Sequence, residues 1–334
     1  MRARLLAVLV GLTAVAFGPA LAADSKIRIA EQFGLSYLPL RVAIDQHLIE
    51  RQAAKLGLAE ATVEVVQLGS GAAVNDAIIS GGVALAMAGA SVLLTLWDKT
   101  VGRNAVKGMM AIADSPIYYN TIDPRIRSIA DFGPDDRIAM TAGRGTQHAL
   151  TLQMAAAQAF GWEARERLDA LTVSMAHPDG VVALLSGGGV VKTHATTVPF
   201  IQMELADPRV RTVLNSYEVV GGRATLIVAY CTESWRAANP KLFNATYAGL
   251  TEAMDVIRAD KHAAALLFKR VEPTKLSLEA IDAILADAAM LAFTPTPSKL
   301  MVHADYMNKV GLLKNRMTSW KDAFFDNVHG LPGS

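Results

Sequence analysis

One structural phrase occurs twice in this chain, and the repetition restricts it to folds with two similarly built α/β units. The first copy runs through residues 63–68, 69–71, 72–79, 80–82 and 83–88. The second runs through 171–176, 177–180, 181–185, 186–189 and 190–195. Each reads as strand, small-residue turn, short helix, Ser-Gly-Gly stop and strand. Glycine ends helices because, lacking a Cβ, it enters the left-handed conformation without a clash. Two such units about a hundred residues apart predict two similar lobes rather than one sheet.

The N-terminus predicts export. Arg2 and Arg4 precede an apolar run over residues 5–17, and Ala20-Leu21-Ala22 fits the small-x-small cleavage rule. This is the pattern of a secretory signal peptide, residues 1–22. The apolar run is shorter than the roughly 20 residues of a membrane span. Gly18-Pro19 breaks it just before the cleavage site, and no cysteine follows for a lipid anchor. The chain has 32 basic and 31 acidic residues, and losing Arg2 and Arg4 leaves 30 against 31. A near-neutral chain without long charge runs lacks the concentrated positive surface that a nucleic-acid partner needs. Cys231 is the only cysteine, so no internal disulfide forms and the core carries the stability. The remaining length exceeds a usual single core, so two domains are expected.

Alternation and helical spacing predict strands at 26–30, 106–113, 117–122, 137–141, 210–214 and 225–231 besides those of the repeats. They predict helices at 40–56, 91–99, 148–160, 200–206, 240–260, 261–269, 278–288 and 299–310. Several strands thus run through small or polar loops into helix starts. In open α/β sheets, ligands bind outside the carboxyl ends of the strands. Helix starts there offer free N–H groups and partial positive charge, which suit anions.

Assembled in order, these segments resemble the periplasmic solute-binding proteins of ABC importers, in particular those serving nitrate, sulfonates, taurine and pyrimidine precursors. The resemblance rests on Ala43-Ile-Asp-Gln-His-Leu-Ile-Glu50, Asp76-Ala-Ile-Ile-Ser-Gly-Gly82, Ile129-Ala-Asp-Phe132, Gly145-Thr-Gln-His148, Leu184-Leu-Ser-Gly187 and Val213-Leu-Asn-Ser216. It implies the two-lobed periplasmic binding protein fold (type II), with two α/β lobes joined by two crossover strands. Lobe one is then expected at 24–115 plus 220–334 and lobe two at 116–219, with crossovers near 114–119 and 219–225. Members often carry an acidic residue after the helix-strand glycine. This chain has none at 83–85 or 190–192, a departure that bears on the ligand more than on the fold.

Candidate ligand contacts cluster in the predicted strand-to-helix loops. In Gly143-Arg-Gly-Thr-Gln-His148, the glycines let backbone amides approach an anion. Thr146 beside Gly145 either caps the following helix or bonds a ligand oxygen, and Arg144 is either solvated or a charge-assisted donor. No Gly-Lys-[Ser/Thr] follows, so this is no phosphate loop. Phe33 and Tyr37 offer apolar walls and a hydroxyl. Ser70, Ala90 and Ser91 stand at similar turns, with helix capping as the competing role, and Ser115 follows a predicted strand. His148, His177 and His194 fall on successive loop or strand ends, with Thr196, Thr197 and Phe200 after the last. Their spacing is too long for a compact zinc site, so hydrogen bonding is expected of them and no metal or cofactor is expected. No nucleophile elbow, metalloprotease pair or dinucleotide fingerprint occurs, and no catalysis is expected. A related eukaryotic branch builds a thiamine pyrimidine using a cysteine-rich iron motif, which a chain with Cys231 alone does not match.

The sequence thus predicts an exported, monomeric, non-catalytic receptor. It would deliver a small organic anion, such as a sulfonate or carboxylate, to an ABC permease in the inner membrane. The alternatives are a neutral pyrimidine-like heteroaromatic held by Phe33, Tyr37 and Phe200, or a secreted enzyme on the same fold.

Overall fold

The computed structural model describes residues 26–334. The expected signal peptide lies outside the described residues. The strands are β1 (Lys26–Glu31), β2 (Thr62–Gln67), β3 (Leu85–Gly89), β4 (Val106–Asp114), β5 (Tyr118–Thr121) and β6 (Arg137–Met140). They continue with β7 (Thr172–Ser174), β8 (Val191–Thr196), β9 (Arg211–Asn215), β10 (Thr225–Thr232) and β11 (Ala292–Phe293). They form two sheets, in the orders β11-β4-β10-β3-β1-β2 and β7-β6-β8-β5-β9. This is a two-lobed α/β architecture.

Each sheet has the same plan. Strands from β-α-β units pair in parallel, β1 with β2 and β3 in one sheet, β6 with β7 and β8 in the other. The strand that follows a crossing runs antiparallel inside its new sheet. β5 lies between β8 and β9, and β10 lies between β3 and β4. β10 is almost wholly buried over Thr-Leu-Ile-Val-Ala-Tyr-Cys, the continuous apolar run that a strand covered on both faces requires. The chain leaves the six-stranded sheet at Asp114 and enters the other at Tyr118, then returns between Val220 and Thr225. At this double crossing Thr225 Oγ1 donates to Asp114 Oδ1 at 2.8 Å. Burial pushes the Asp114 carboxyl up to about 6 despite that bond.

Two local readings need correction. The expected helix 40–56 is two helices, Leu38–Asp45 and Leu48–Lys55. His47 between them adopts a left-handed conformation (φ 51°), which no continuous right-handed helix accommodates. The expected turn 177–180 is instead the first turn of the helix His177–Ser186. Pro178 belongs there, because the first turn has no use for its missing N–H. Among the described residues, no helix is long and apolar enough to cross a membrane.

Candidate functional site

The carboxyl ends of β1, β2 and β3 meet those of β6, β7 and β8 across a small cavity of about 40 Å³. The six-stranded half contributes Gln32, Phe33, Ser36, Tyr37, Ser91 and Val92. The five-stranded half contributes Thr141, Thr146, Gln147, His148, His177 and Thr197. Four helices start at or beside it: Gly71–Ile79, Ala90–Thr100, Gln147–Phe160 and His177–Ser186. A wider hollow of about 1010 Å³ lies elsewhere, on the six-stranded half. Its Lys107 pairs with Glu233 and its Arg236 with Asp326, so it is a solvated charged surface.

Three polar atoms on the cavity wall are buried without a partner: Ser36 Oγ, Ser91 Oγ and His148 Nε2. A buried hydroxyl or imidazole nitrogen without a hydrogen bond costs on the order of 1–3 kcal/mol. Such groups cluster where a ligand completes them. His148 is positioned by Tyr119, whose hydroxyl donates to the His148 carbonyl from the middle of β5. Burial drives the His148 imidazole down to about 3, so it is neutral at ordinary pH.

Behind the cavity runs a chain of buried polar groups. His177 Nδ1 lies 3.0 Å from His194 Nε2. His194 Nδ1 lies 2.5 Å from Glu204 Oε1. Asn120 Nδ2 donates to Glu204 Oε2 at 2.9 Å, and Thr212 Oγ1 donates to Asn120 Oδ1 at 2.7 Å. The sequence gives room for this: an added Cβ on Gly180 would stand 2.5 Å from His194 Nε2. Direct imidazole-imidazole contact leaves no space for a cation between the rings, and no cluster of metal-binding side chains occurs among the described residues. Phe200 stacks on His177, with ring centroids 5.2 Å apart.

Gln147 ties the halves together. Its Oε1 accepts from the Ala90 N–H at 3.0 Å, at the start of a helix in the six-stranded half. Its Nε2 donates to the Thr225 carbonyl at 2.8 Å. The Leu35 N–H donates to the Val198 carbonyl at 3.2 Å, a second strap across the cleft.

Of the residues singled out from sequence, Phe33, Tyr37, Ser91, Thr146, His148, His177 and Thr197 line the cavity. Ala90 lies beside it through its N–H. His194 is one shell behind, and Phe200 lines an adjoining groove of about 720 Å³ that also touches Phe33. Ser70 caps its helix by accepting from Ala73 N at 3.3 Å, and Gly145 takes a positive φ of 88° in the turn before Thr146. Neither lines the cavity. Ser115 and Thr196 are buried with free hydroxyls and are not among its lining residues. Arg144 is exposed and also outside the lining. Thr146 caps its helix: its hydroxyl accepts from Ala149 N at 3.3 Å and donates towards Ala142 and Gly143. Sequence reasoning missed Ser36, Gln147 and Glu204. Only Gln147 carried a local hint, as the residue after a capping threonine.

No family model and no curated protein matches the sequence. Solved structures do. The alkanesulfonate-binding protein SsuA from Xanthomonas axonopodis pv. citri, bound to MOPS, superposes with a TM-score of 0.69 at 17% identity, covering 89% of this chain and 96% of that one. The periplasmic nitrate-binding protein NrtA from Synechocystis PCC 6803 gives 0.68 at 16% identity, covering 89% and 84%. A Candida albicans protein described as having the generic periplasmic binding protein fold gives 0.67 at 11% identity, covering 90% and 96%. The chain has the periplasmic binding protein fold. In that fold the cavity described above occupies the cleft between the lobes.

Proposed function

We propose that this protein is an exported solute-binding receptor of an ABC importer, one that closes around a small organic anion such as a sulfonate or carboxylate. The observation that carries the reading is the convergence of Ser36 Oγ, Ser91 Oγ and His148 Nε2, buried and unpartnered, on one interlobe cavity beside four helix starts. The helix starts favour negative charge. Arg144, exposed and outside the cavity lining, is no part of the proposed site. Export by a signal peptide, a periplasmic location, a permease partner, a monomeric state and the absence of a nucleic-acid partner belong to the same reading.

The reading also divides the chain into lobes at 24–115 plus 220–334 and 116–219, hinged at 114–119 and 219–225. A cavity of about 40 Å³ holds little more than water. A sulfonate therefore needs the halves to part, and its contacts with both then draw them together. The receptor reading is favoured over an enzyme because the similar Xanthomonas and Synechocystis structures are of binding proteins.

A thermal-shift screen of methanesulfonate, taurine, nitrate, acetate and uracil tests the reading. At least one anion is expected to raise the melting temperature, and Ser91→Ala to weaken its binding by about 10–100-fold, as loss of a hydrogen bond to a charged group does. A shift with uracil alone would transfer the site to neutral heteroaromatics. No shift with any compound would sink the receptor reading for these classes.

A further inference from the structure

The buried chain Glu204–His194–His177 has one property that follows from its geometry alone. Each histidine is bonded to its neighbour through one nitrogen, so its protons cannot be placed independently. Glu204 Oε2 accepts from Asn120, whose own carbonyl oxygen is held by Thr212. That oxygen is therefore a fixed acceptor, and only Oε1 shares a proton with His194.

Two arrangements satisfy every bond. With no extra proton on the pair, His194 carries hydrogen on Nδ1, given to the Glu204 carboxylate. Its Nε2 is then a lone pair that accepts from His177 Nδ1–H, which leaves His177 Nε2 as an acceptor. With one extra proton, whether it sits on His194 or on Glu204 Oε1, His194 Nε2 carries hydrogen and donates to His177 Nδ1. The hydrogen of His177 must then be on Nε2, and His177 becomes a donor. One proton on the pair thus inverts the free nitrogen of a residue that lines the cavity.

We propose that the His194–Glu204 pair acts as a one-proton selector for this cavity: anions bind with the pair proton-loaded, and neutral ligands bearing N–H groups bind with it proton-free. The inference rests on the reading of the cavity as the ligand site and adds to it a rule for what is admitted. The extra proton does not stay on His177, because that ring stands at the positive start of a helix and is buried, both of which disfavour an imidazolium. Loading the pair also cancels the charge of a carboxylate that is 0% exposed, which a site without arginine or lysine favours. The titratable groups facing His194, on β8, are His177 on the helix His177–Ser186, His148 on the helix Gln147–Phe160 and Glu204 on the helix Phe200–Leu205. β5 packs alongside and contributes only the amide of Asn120.

Two measurements on the full mature chain test this. The first needs no ligand: ring-nitrogen NMR of His177 across the pH range in which the protein stays folded. His177 Nε2 is expected to pass from the protonated to the unprotonated form as pH rises, and in Glu204→Gln to keep one form throughout. A wild-type Nε2 that keeps one form across this range overturns the proposal. The second is calorimetry with methanesulfonate near pH 8 in two buffers of different ionisation enthalpy. Up to one proton is expected to be taken up per anion, with affinity falling up to tenfold per pH unit once the pair is unloaded. Glu204→Gln is expected to abolish the uptake. Methanesulfonate binding with no proton uptake also overturns the selector, while leaving the anion receptor intact. If the ring switches and methanesulfonate does not bind, the ring inversion stands, but the anion reading and the selector's rule for anions both fail.

Discussion

The two walls of the cleft use one backbone device with opposite chemistry. In the six-stranded half the helix starts are small: Gly71, Ala90 and Ser91 offer backbone N–H groups and one free hydroxyl. In the five-stranded half the equivalent starts carry Gln147, His148 and His177, larger polar side chains of which His177 joins a buried polar chain. One wall is a fixed set of donors, and the other is titratable. A repeated supersecondary unit therefore fixes where the cavity lies without fixing the chemistry of either wall.

The largest expected effect breaks the titratable wall. Glu204→Ala leaves His194 Nδ1 and Asn120 Nδ2 unpaired in the interior, and removing one partner of a buried pair costs roughly 3–5 kcal/mol. Chemical denaturation of this variant should show a loss of that size. A loss under about 1 kcal/mol would mean that the chain is no structural keystone of its half.

Acid and base act on the two halves with opposite sign. Burial holds His148 neutral down to about 3 against an ordinary 6.5. Below about 6.5 the unfolded chain therefore binds a proton that the fold refuses, and stability falls as pH drops towards 3, by on the order of 1 kcal/mol per unit. Glu31, at the end of β1, is pushed up from 4.5 to about 8 by burial, even though Arg41 pairs with it. Between 4.5 and 8 the fold holds the extra proton, so this group costs stability as pH rises through that window. His148→Gln should flatten the acid limb of a melting-temperature profile and Glu31→Gln the alkaline limb. The same limb vanishing in both variants would contradict the assignment.

Matched glycines give a smaller contrast. On Gly180 a Cβ meets the ring of His194, pinned on both sides, at 2.5 Å. On Gly71 it meets the Val92 methyls at 2.7 and 3.3 Å, but Val92 borders the cavity rather than being held by hydrogen bonds through its side chain. Gly180→Ala should cost about 1–3 kcal/mol by overpacking and Gly71→Ala clearly less in the same unfolding assay. Equal costs would show that the first wall is as rigid as the second.

The smallest effects separate capping from recognition. Thr146→Ala removes a helix cap worth about 1 kcal/mol and should lower the melting temperature while leaving affinity almost intact. Ser91→Ala removes a buried hydroxyl that has no partner and should hold or raise the melting temperature while weakening anion binding. The reverse pattern, read by calorimetry and melting curves, would exchange the two roles.

The architecture was legible because it rests on local signals: alternation in β1, a continuous apolar run in β10, Ser-Gly-Gly stops, and a phrase written twice. Local signals also caused the errors. Pro-Asp-Gly at 178–180 reads as a turn, yet proline suits a first helical turn equally well, and nothing near His47 announces a left-handed residue. The cavity was half legible, since strand ends identify positions such as Ser91 and His148. Its polar chain was not, because Glu204 reaches His194 from a helix packed across β8, and Gln147 meets partners at 90 and 225. Contacts of that span are made by tertiary packing and leave no mark on spacing.

Gln147 gives the closed shape a second meaning. Its amide oxygen sits on the Ala90 N–H, where a ligand oxygen drawn to that helix start would also sit. On the receptor reading proposed above, Gln147 is then a molecular understudy that can hold the two lobes in the arrangement a membrane partner would inspect. Cargo then competes with an internal rehearsal of itself, and its arrival is registered by what it adds beyond one amide. A permease reading only overall shape would be deceived by the rehearsal. One that also senses the rim of the cleft would not, and the difference would appear as the futile turnover of its ATPase by the unloaded receptor.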